Sequence, residues 1–314
     1  MQIPYSKKRY ICTNSTVINM RPPTLHPRNA HRDGYDLAAL AKAVPALHDY
    51  LLTTAQGVVS LPFQDANAVF LLNKALLLHT YRVENWSLPA GYLCPPVPSR
   101  ADYLHHIADI LSEAGVVPTG KKVKILDVGS GANCIYPLLG HSLYGWQFVA
   151  ADTDKKAVEW AKRIVAANTS HHKHIELRWQ SQPKSIFNHL LKPNEQFDCT
   201  MCNPPFFGSM QEAIDENAQK NNALRPTNDT NEAFNFGGQP NELWCDGGET
   251  AFVAQMIRES ATVRTQSRWF SSLISRAKHL PKLQKILHNV GAQNVKINEI
   301  KTGNKIVRIL FWQF

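Results

Sequence analysis

Strand-like and helix-like segments alternate from residue 121 to the end of the chain, and this alternation constrains the fold more than any other feature. Short apolar runs rich in β-branched and aromatic residues indicate buried strands, and longer amphipathic segments separate most of them. Seven strands are expected, at VKILDVG, WQFVAAD, HIELRWQ, FDCTMCN, RWFSSLIS, NVKINEIK and KIVRILFWQF. Alternating elements of this kind predict a mostly parallel, doubly wound sheet.

The last two predicted strands break the parallel pattern, because only residues 302–304 link them. A link of this length suits a hairpin, whereas a parallel pair needs a crossover of about a dozen residues or more. The final strand is therefore predicted to be antiparallel. The predicted fold class is α/β: the methyltransferase (class I) variant of the Rossmann-like fold, a mostly parallel seven-stranded sheet with an antiparallel last strand.

The N-terminal part is predicted to be a helical extension that follows a basic arm. Residues 1–36 are rich in proline, arginine, histidine and asparagine, which predicts an extended arm. Three helices are expected after the arm. One begins near Asp36, the second covers about Asp65–Tyr81 and the third covers about Arg100–Ala114. The four prolines of residues 87–99 are expected to break any helix there. The predicted divisions are the arm at 1–36, a helical region at 37–120 and a catalytic domain at 121–314.

Composition favours a polyanionic partner. The formal net charge is +9 and the pI is about 9.2, which fits RNA, DNA or an acidic membrane surface. No apolar run is long enough to span a bilayer and the N-terminus lacks a signal-peptide core, so a cytoplasmic protein is expected. Cys199 and Cys202 lie inside a predicted strand without a second ligand pair, so buried thiols are expected and no metal site. No dimer element is recognisable, and we expect a monomer.

A glycine loop, residues 127–133 (DVGSGAN), directly follows the first predicted strand of the sheet. Ligands of open α/β sheets bind at the carboxyl ends of the strands, and Gly129 and Gly131 let a ligand approach the backbone closely. A dinucleotide fingerprint needs a third glycine where Cys134 stands, so NAD and FAD are not favoured. Asp127, two residues before the first glycine, instead indicates S-adenosylmethionine as the cofactor.

Two acids lie at the end of the second predicted strand. Asp152 follows Asp127 by 25 residues, where its carboxylate is expected to accept hydrogen bonds from both ribose hydroxyls of the cofactor. Asp154 is expected to be the N-cap of the following helix. The glycine loop and Asp152 together predict one cofactor site at the carboxyl edge of the sheet.

The tetrapeptide Asn203-Pro204-Pro205-Phe206 immediately follows the fourth predicted strand. The N6 amine of adenine is a weak nucleophile because its lone pair is delocalised into the ring. The side-chain carbonyl of Asn203 and the backbone carbonyl of Pro204 can each accept one N–H, which aligns the amine and stabilises the positive charge that develops. The prolines stiffen the backbone, and Phe206 can stack on a flipped-out base. With the glycine loop, the tetrapeptide predicts methyl transfer to an adenine N6 amine.

Five segments of the chain closely resemble the bacterial ribosomal RNA large-subunit methyltransferase F family. The segments are LHPRNAHRDGYD (25–36), LCPPVPSRADYLHH (93–106), LDVGSGANCIYPLLG (126–140), CNPPFF (202–207) and NFGGQPNELWCDGGE (235–249). The resemblance covers about residues 25–314, and the family is related to methyltransferase-like protein 16. It implies N6 methylation of one adenine in 23S rRNA, presented either as rRNA or within a large-subunit precursor.

The resemblance also implies roles for single residues. Arg100 matches a family arginine that reaches the methionyl carboxylate of the cofactor, and its planar charged group suits a carboxylate. Asn133 stands where many other methyltransferases carry a third glycine, and is expected to contact the cofactor. The predicted cofactor-binding residues are Arg100, Asp127, Gly129, Gly131, Asn133 and Asp152. The predicted catalytic residues are Asn203, Pro204, Pro205 and Phe206.

Two segments outside the predicted pocket are expected to contact RNA. The insertion at 207–249 is 43 residues long, and loops of this length are usually functional or disordered. It contains the basic stretch around Lys220–Arg225 and glycine pairs at 237–238 and 247–248, and is expected to cover the cofactor pocket as a lid. The basic arm is the second candidate, through Lys7, Lys8, Arg9, Arg21, Arg28 and Arg32.

Three alternatives stay open. Protein glutamine methyltransferases carry an Asn-Pro-Pro-aromatic motif after the same strand, because a side-chain amide needs the same two acceptors. They usually have tyrosine at the position of Phe206, and their N-terminal domain is not a basic arm. DNA adenine methylation is a further option. A non-catalytic RNA-binding protein that kept the fold is the third, and the intact Asn203 tetrapeptide argues against it.

Overall fold

The computed structural model describes residues 25–215, 238–302 and 305–314, and a seven-stranded sheet forms its centre. The strands are β1 (Leu52–Thr53), β2 (Val59–Ser60), β3 (Lys124–Val128), β4 (Gln147–Asp152), β5 (Ile175–Trp179), β6 (Phe197–Cys202), β7 (Ser267–Ile274), β8 (Gln293–Thr302) and β9 (Lys305–Gln313). β1 and β2 form a separate small hairpin, and the other strands lie in the order β5-β4-β3-β6-β7-β9-β8.

The pairing of these strands confirms the predicted fold class. β3 pairs in parallel with β4 and β6, β4 with β5, and β6 with β7. β9 is antiparallel to both β7 and β8, between which it lies. The short link after β8 therefore makes a hairpin, as its length requires.

Helices flank the sheet and precede it in the chain. They are α1 (Leu37–Ala43), α2 (Ala66–Tyr81), α3 (Val97–Leu111), α4 (Ile135–Tyr144), α5 (Lys155–Ala167), α6 (Pro240–Leu243), α7 (Gly248–Thr262) and α8 (Leu280–Asn289). Asp36, Asp65 and Asp154 each accept a backbone N–H in the first turn of α1, α2 and α5. These carboxylates satisfy donors that a helix start leaves without partners, so the expected N-cap at Asp154 is confirmed.

The predicted start of α3 is wrong by three residues. The helix begins at Val97 instead of Arg100, so the prolines of residues 87–99 do not prevent it. Pro98 lies in the first turn, where a proline has no intrahelical hydrogen bond to lose. The backbone N–H of Val97 donates to Oδ1 of Asn73 in α2 at 3.1 Å, so a neighbouring helix supplies the missing acceptor.

The described end of the predicted arm is folded onto α3 and is not extended. The buried carboxylate of Asp102 accepts the side-chain amide of Asn29 at 2.6 Å and the backbone N–H of His26 at 3.0 Å. Arg28 forms an ion pair with Asp109 at 2.8 Å. A buried carboxylate needs such donors, and they hold this segment down. Residues 1–24, with the other basic residues of the arm up to Arg21, lie outside the described residues.

Two apolar clusters fill the space on either side of the sheet. The larger joins α2, α3, α4 and α5 to one face of the sheet, and the smaller joins α7 and α8 to the other face. Cys199 and Cys202 have exposed fractions of 0% and 1%, so the expectation of buried thiols in β6 is confirmed. Within the described ranges, no helix combines the length and apolar character that crossing a membrane requires.

Candidate active site

A cavity of about 780 Å³ opens at the carboxyl ends of β3, β4 and β6. After β5 the chain returns to place β6 on the other side of β3, so the strand order reverses between β3 and β6. Such switch points are where α/β sheets bind ligands. The predicted site residues that line the cavity are Arg100, Gly129, Gly131, Asn133, Asp152, Asn203 and Pro205. Asp127, Pro204 and Phe206 adjoin it in sequence but are not among the lining residues.

The glycine loop is tied to the end of β4. Gly129 and Gly131 have φ angles of 77° and 62°, which other residues rarely adopt. The N–H of Gly129 donates to the Ala151 carbonyl at 2.8 Å, and the N–H of Gly131 donates to Oδ2 of Asp152 at 2.8 Å. A Cβ at position 131 would lie 3.2 Å from Nδ2 of Asn133. A side chain there would therefore be crowded by Asn133 as well as strained by the left-handed backbone conformation.

Asp152 is held by backbone donors at both oxygens. Besides Gly131, the N–H of Asp154 donates to Oδ1 of Asp152 at 2.8 Å. Burial raises the pKa of Asp152, and these hydrogen bonds oppose the rise. Because the bonds fix the carboxylate plane, its remaining lone pairs have a defined direction at the cavity wall.

Asp127 is fully buried behind the glycine loop. Burial, followed by repulsion from Asp152, raises the pKa of Asp127 to about 8, and the positive charge of Arg100 opposes this rise. Among the described residues, neither oxygen of Asp127 has a hydrogen-bond partner. A carboxyl group in this position would be stabilised by a ligand that brings its own positive charge.

Arg100 lines the cavity from the first turn of α3. Its guanidinium carbon lies 5.7 Å from the ring centroid of Tyr136, within the distance for a cation–π interaction. The aromatic ring therefore orients a charge that can bind a carboxylate. Arg100 thus places a positive charge at the cavity wall, and Asp127 lies behind that wall within electrostatic reach of it.

Asn133 forms hydrogen bonds within the protein that the sequence did not predict. Its Oδ1 accepts the N–H of Ile135 at 3.0 Å, at the start of α4. Its Nδ2 is 3.5 Å from the carbonyl oxygen of Leu93, and its own carbonyl accepts the indole N–H of Trp86 at 3.0 Å. Asn133 lines the cavity, but a direct contact with the cofactor stays a prediction.

The tetrapeptide is braced by the far end of the insertion. The N–H groups of Phe206 and Phe207 donate to the carbonyl of Leu243 at 3.1 and 3.0 Å, and the N–H of Cys245 donates to the Phe207 carbonyl at 3.1 Å. Oδ1 of Asn203 is buried and has no hydrogen-bond partner in the described part of the chain. The backbone is thus fixed while an acceptor at the cavity is left unused.

Two cavity residues in the insertion were missed by sequence reasoning. Oε2 of Glu242 accepts the N–H groups of Leu93 and Gln239 at 3.1 and 2.8 Å, and burial raises the pKa of Glu242. The indole of Trp244 also lines the cavity. Neither residue belongs to a periodic pattern, and the only signal was their place in a segment that resembles a known family. The middle of the insertion, 216–237, lies outside the described residues.

Comparisons with known proteins agree with this architecture. A family model described as RNA methyltransferase matches residues 20–314. Ribosomal RNA large subunit methyltransferase F of Desulfotalea psychrophila is 46% identical over 92% of this chain and 94% of its own length. The protein of the same name from Escherichia coli O6:H1 is 46% identical over 95% of this chain and 96% of its own length.

Solved structures give the same result at lower identity. The human METTL16 catalytic domain, in complex with a MAT2A 3′UTR hairpin, is 30% identical with a TM-score of 0.78, over 92% of this chain and 95% of its own. The N-terminal domain of human METTL16 in complex with SAH is 29% identical with a TM-score of 0.72, over 92% of this chain and 98% of its own. The chain therefore belongs to this family of RNA methyltransferases, and the predicted resemblance is confirmed.

Proposed function

We propose that this enzyme transfers a methyl group from S-adenosylmethionine to the N6 amine of one adenine in 23S rRNA, either as rRNA or in a large-subunit precursor. The observation that carries the proposal is the buried Oδ1 of Asn203, which has no partner among the described residues. It lines the same cavity as Gly129, Gly131 and Asp152. An unused acceptor beside a cofactor loop suits a substrate that presents an N–H donor.

The cavity residues fit S-adenosylmethionine, which supplies an electrophilic methyl group when bound. Arg100 would bind its carboxylate, and the unpaired carboxyl of Asp127 lies where a nearby ammonium group would stabilise it. Asp152 would accept the ribose hydroxyls with the lone pairs that its backbone donors leave free. Gly129 and Gly131 leave room for the ligand against the loop backbone. The METTL16 domain with bound SAH supports this assignment.

The chain's contribution to the reaction is to align and stabilise the amine. Oδ1 of Asn203 and the carbonyl of Pro204 would each accept one N–H of the target amine. As the amine attacks, its nitrogen becomes positive, and two fixed acceptors stabilise that charge without having to reorganise. The methylated nitrogen then loses a proton to water, so no general base is needed. Phe206 would stack on the base and Pro205 would stiffen the turn.

Ribosomal RNA is the substrate that the relatives and the charge favour. Proteins that are 46% identical over most of the chain are named for the large-subunit RNA, and METTL16 has been solved with an RNA hairpin. The net charge of +9 suits a polyanion. We propose that the arm at 1–36 and the insertion at 207–249 contact this RNA, beside a helical region at 37–120 and a catalytic domain at 121–314.

The substrate class is tested by methyl transfer from labelled S-adenosylmethionine to 23S rRNA and, separately, to a release-factor-like protein. We expect label in RNA and a rate for Asn203→Ala that is lower by about 100-fold or more, the loss typical of a fixed electrostatic contact in a transition state. Asn67→Ala is the matched control, since Asn67 is exposed in α2. Label only in protein would favour the glutamine methyltransferase alternative, and full activity of Asn203→Ala would remove Asn203 from the mechanism.

A further inference from the structure

Trp179 presents an indole ring to solvent beside the candidate site. Its exposed fraction is 49%, and it is the only one of the chain's seven tryptophans, all of them described, that is exposed. A large aromatic surface left in water forgoes burial that would stabilise the fold. Such a surface on an RNA-binding enzyme suggests a ligand that covers it.

The position of Trp179 places this surface at the edge of the sheet that carries the cavity. It is the last residue of β5, and its Cα is paired with that of Asp152 at the end of β4. Its sequence neighbour Gln180 and the adjacent Thr153 both line the cavity. The ring is therefore near the entrance of the proposed active site, on the side away from β6.

The ring is held in place by two contacts. Its Nε1–H donates to the carbonyl of Thr153 at 3.1 Å. Nζ of Lys155 lies 5.4 Å from the ring centroid, at the distance of a cation–π interaction. A fixed ring loses little conformational entropy when it binds a flat partner, so it is pre-organised for stacking.

The surroundings of the ring favour an anion. Lys155 and Lys156 in the first turn of α5 are exposed, and so is Lys184, which lines the cavity. The nearby carboxylate of Asp154 is engaged by the N–H of Lys156 and the hydroxyl of Tyr92.

The other charges of β5 are compensated. Successive side chains of a strand point to opposite faces, so Arg178 and Glu176 lie on the face away from Trp179. Arg178 is paired there with Glu176 at 2.9 Å and with Glu195 at 2.7 Å. Lys155 over the ring, with Lys156 beside it in the chain, therefore offers exposed positive charge to a phosphate.

We propose that Trp179 and Lys155 form a stacking site for an unpaired nucleotide of the RNA substrate, apart from the target adenine. The base would stack on the indole ring and the ammonium group of Lys155 would bind the phosphate. Proteins bind single-stranded nucleic acid by this combination of contacts. β5 is three strands from β6, about 14 Å at the usual strand spacing, so this nucleotide is not the one that Asn203 holds. The inference rests on the proposed function for the identity of the ligand as RNA.

The test measures the affinity of a fluorescent 23S rRNA fragment by anisotropy, with each variant also checked for S-adenosylhomocysteine binding and thermal stability. Trp179→Ala should bind RNA roughly 5- to 30-fold more weakly, and Trp179→Phe should keep most of the affinity because it keeps a ring. Lys155→Ala should lower the salt dependence of binding by about one phosphate contact. Phe63→Ala is the matched control, because Phe63 is equally exposed, at 50%, and lies near the separate β1–β2 hairpin.

Cross-linking provides a second measurement: if a base stacks on Trp179, RNA that carries 5-iodouridine should cross-link to this residue. Unchanged RNA affinity of Trp179→Ala would overturn the inference. So would a loss of S-adenosylhomocysteine binding with intact RNA binding, which would assign the ring to the cofactor. Methyl transfer by the wild type separates the two proposals: if it methylates RNA while Trp179→Ala binds normally, only the stacking site fails.

Discussion

Single residues define the candidate site through polar groups that are buried without partners. In the described part of the chain, these include both oxygens of Asp127, Oγ of Ser130, Oδ1 of Asn203 and Nε1 of Trp244. Folded proteins normally pair such groups, because an unpaired one costs about 1–3 kcal/mol. Ser130, Asn203 and Trp244 line the cavity and Asp127 adjoins it, so a ligand bound there would be in reach of several of these groups.

Asp127 gives a pH-dependent prediction. In the folded protein without cofactor the pKa of Asp127 is raised to about 8 by burial, whereas an unfolded aspartate titrates near pH 3.9. Between these values the folded state holds the extra proton, so the contribution of Asp127 to stability falls as pH rises. Asp127→Asn removes this titration. Between pH 5 and pH 8, the free energy of unfolding of the wild type should therefore fall by on the order of 2 kcal/mol more than that of Asp127→Asn.

Urea denaturation of both proteins without cofactor, at pH 5 and pH 8, measures these changes in stability. A difference between wild type and variant that is the same at both pH values would show that Asp127 does not titrate in this range. In the same preparations, Asp127→Asn should bind S-adenosylmethionine more weakly, because the amide cannot balance a positive charge.

Some residues of the site could be predicted from sequence because their signals are local. Gly129 and Asp152 end predicted strands and Gly131 comes two residues after the first of them, so the strand prediction also fixes their common edge. Glu242 could not be found in this way. It contacts the N–H of Leu93 across 149 positions of the chain, and no local pattern records such a pairing.

Among the elements, the short segment from Gln239 to Cys245 connects three parts of the site. It pairs with the backbone of Phe206 and Phe207 after β6, and α6 within it carries Glu242. Glu242 in turn accepts hydrogen bonds from Gln239 and from the segment before α3. This segment therefore acts as a brace that joins the tetrapeptide to the segment before α3.

Glu242→Ala should loosen this brace. The two backbone donors that Glu242 serves would lose a partly buried acceptor, which typically costs about 1–3 kcal/mol. We expect faster proteolytic cleavage near residues 239–247 and a methyl-transfer rate lower by roughly 10-fold, with Glu242→Gln intermediate. Glu159→Ala, at an exposed position of α5, should match the wild type in both assays. Unchanged proteolysis in Glu242→Ala would contradict the role of Glu242 as a brace.

Element prediction succeeded where the signal was a short apolar run and failed where the chain makes long-range contacts. The strands and the antiparallel β9 follow from such runs and from the length of the last link. The start of α3 was misplaced because Asn73, far away in sequence, supplies the acceptor for Val97. The turns at 25–34 were not predicted because Asp102, which holds them, lies in α3.

On the scale of the whole molecule, the N-terminal helices and the sheet share one apolar cluster. The hydroxyl of Tyr103 in α3 lies 2.9 Å from Oγ of Ser271 in β7, deep within this contact. The folded N-terminal region thus supports the same sheet that carries the site. Damage to its packing should therefore lower the stability of the whole protein.

Buried histidines predict how this packing responds to acid. Burial lowers the pKa of His31 to about 4 and, with nearby positive charges, that of His105 to about 3. An unfolded histidine titrates near 6.5, so the unfolded state binds more protons between about pH 6.5 and pH 4, and stability falls as pH falls through this window. We expect a loss on the order of 2 kcal/mol per histidine from pH 7 to pH 5.

His31→Gln isolates one of these contributions, since it keeps a polar partner for the hydroxyl of Tyr81, 2.9 Å from Nε2 of His31. Urea denaturation at pH 7 and pH 5 should show a smaller acid-induced loss of stability for His31→Gln than for the wild type. His48→Gln, at an exposed position, should follow the wild type. An equal loss in all three proteins would assign the acid sensitivity to other groups.

The central claim, that this enzyme methylates the N6 amine of an adenine, is tested most directly by nucleoside mass spectrometry. Unmodified 23S rRNA would be incubated with S-adenosylmethionine and the full chain, digested to nucleosides and compared with N6-methyladenosine and its positional isomers. We predict N6-methyladenosine as the new nucleoside with the wild type, and about 100-fold less of it or lower with Asn203→Ala in the same time. A methyl group on a ring carbon, a ring nitrogen or a ribose, or N6-methyladenosine produced equally by Asn203→Ala, would contradict the claim.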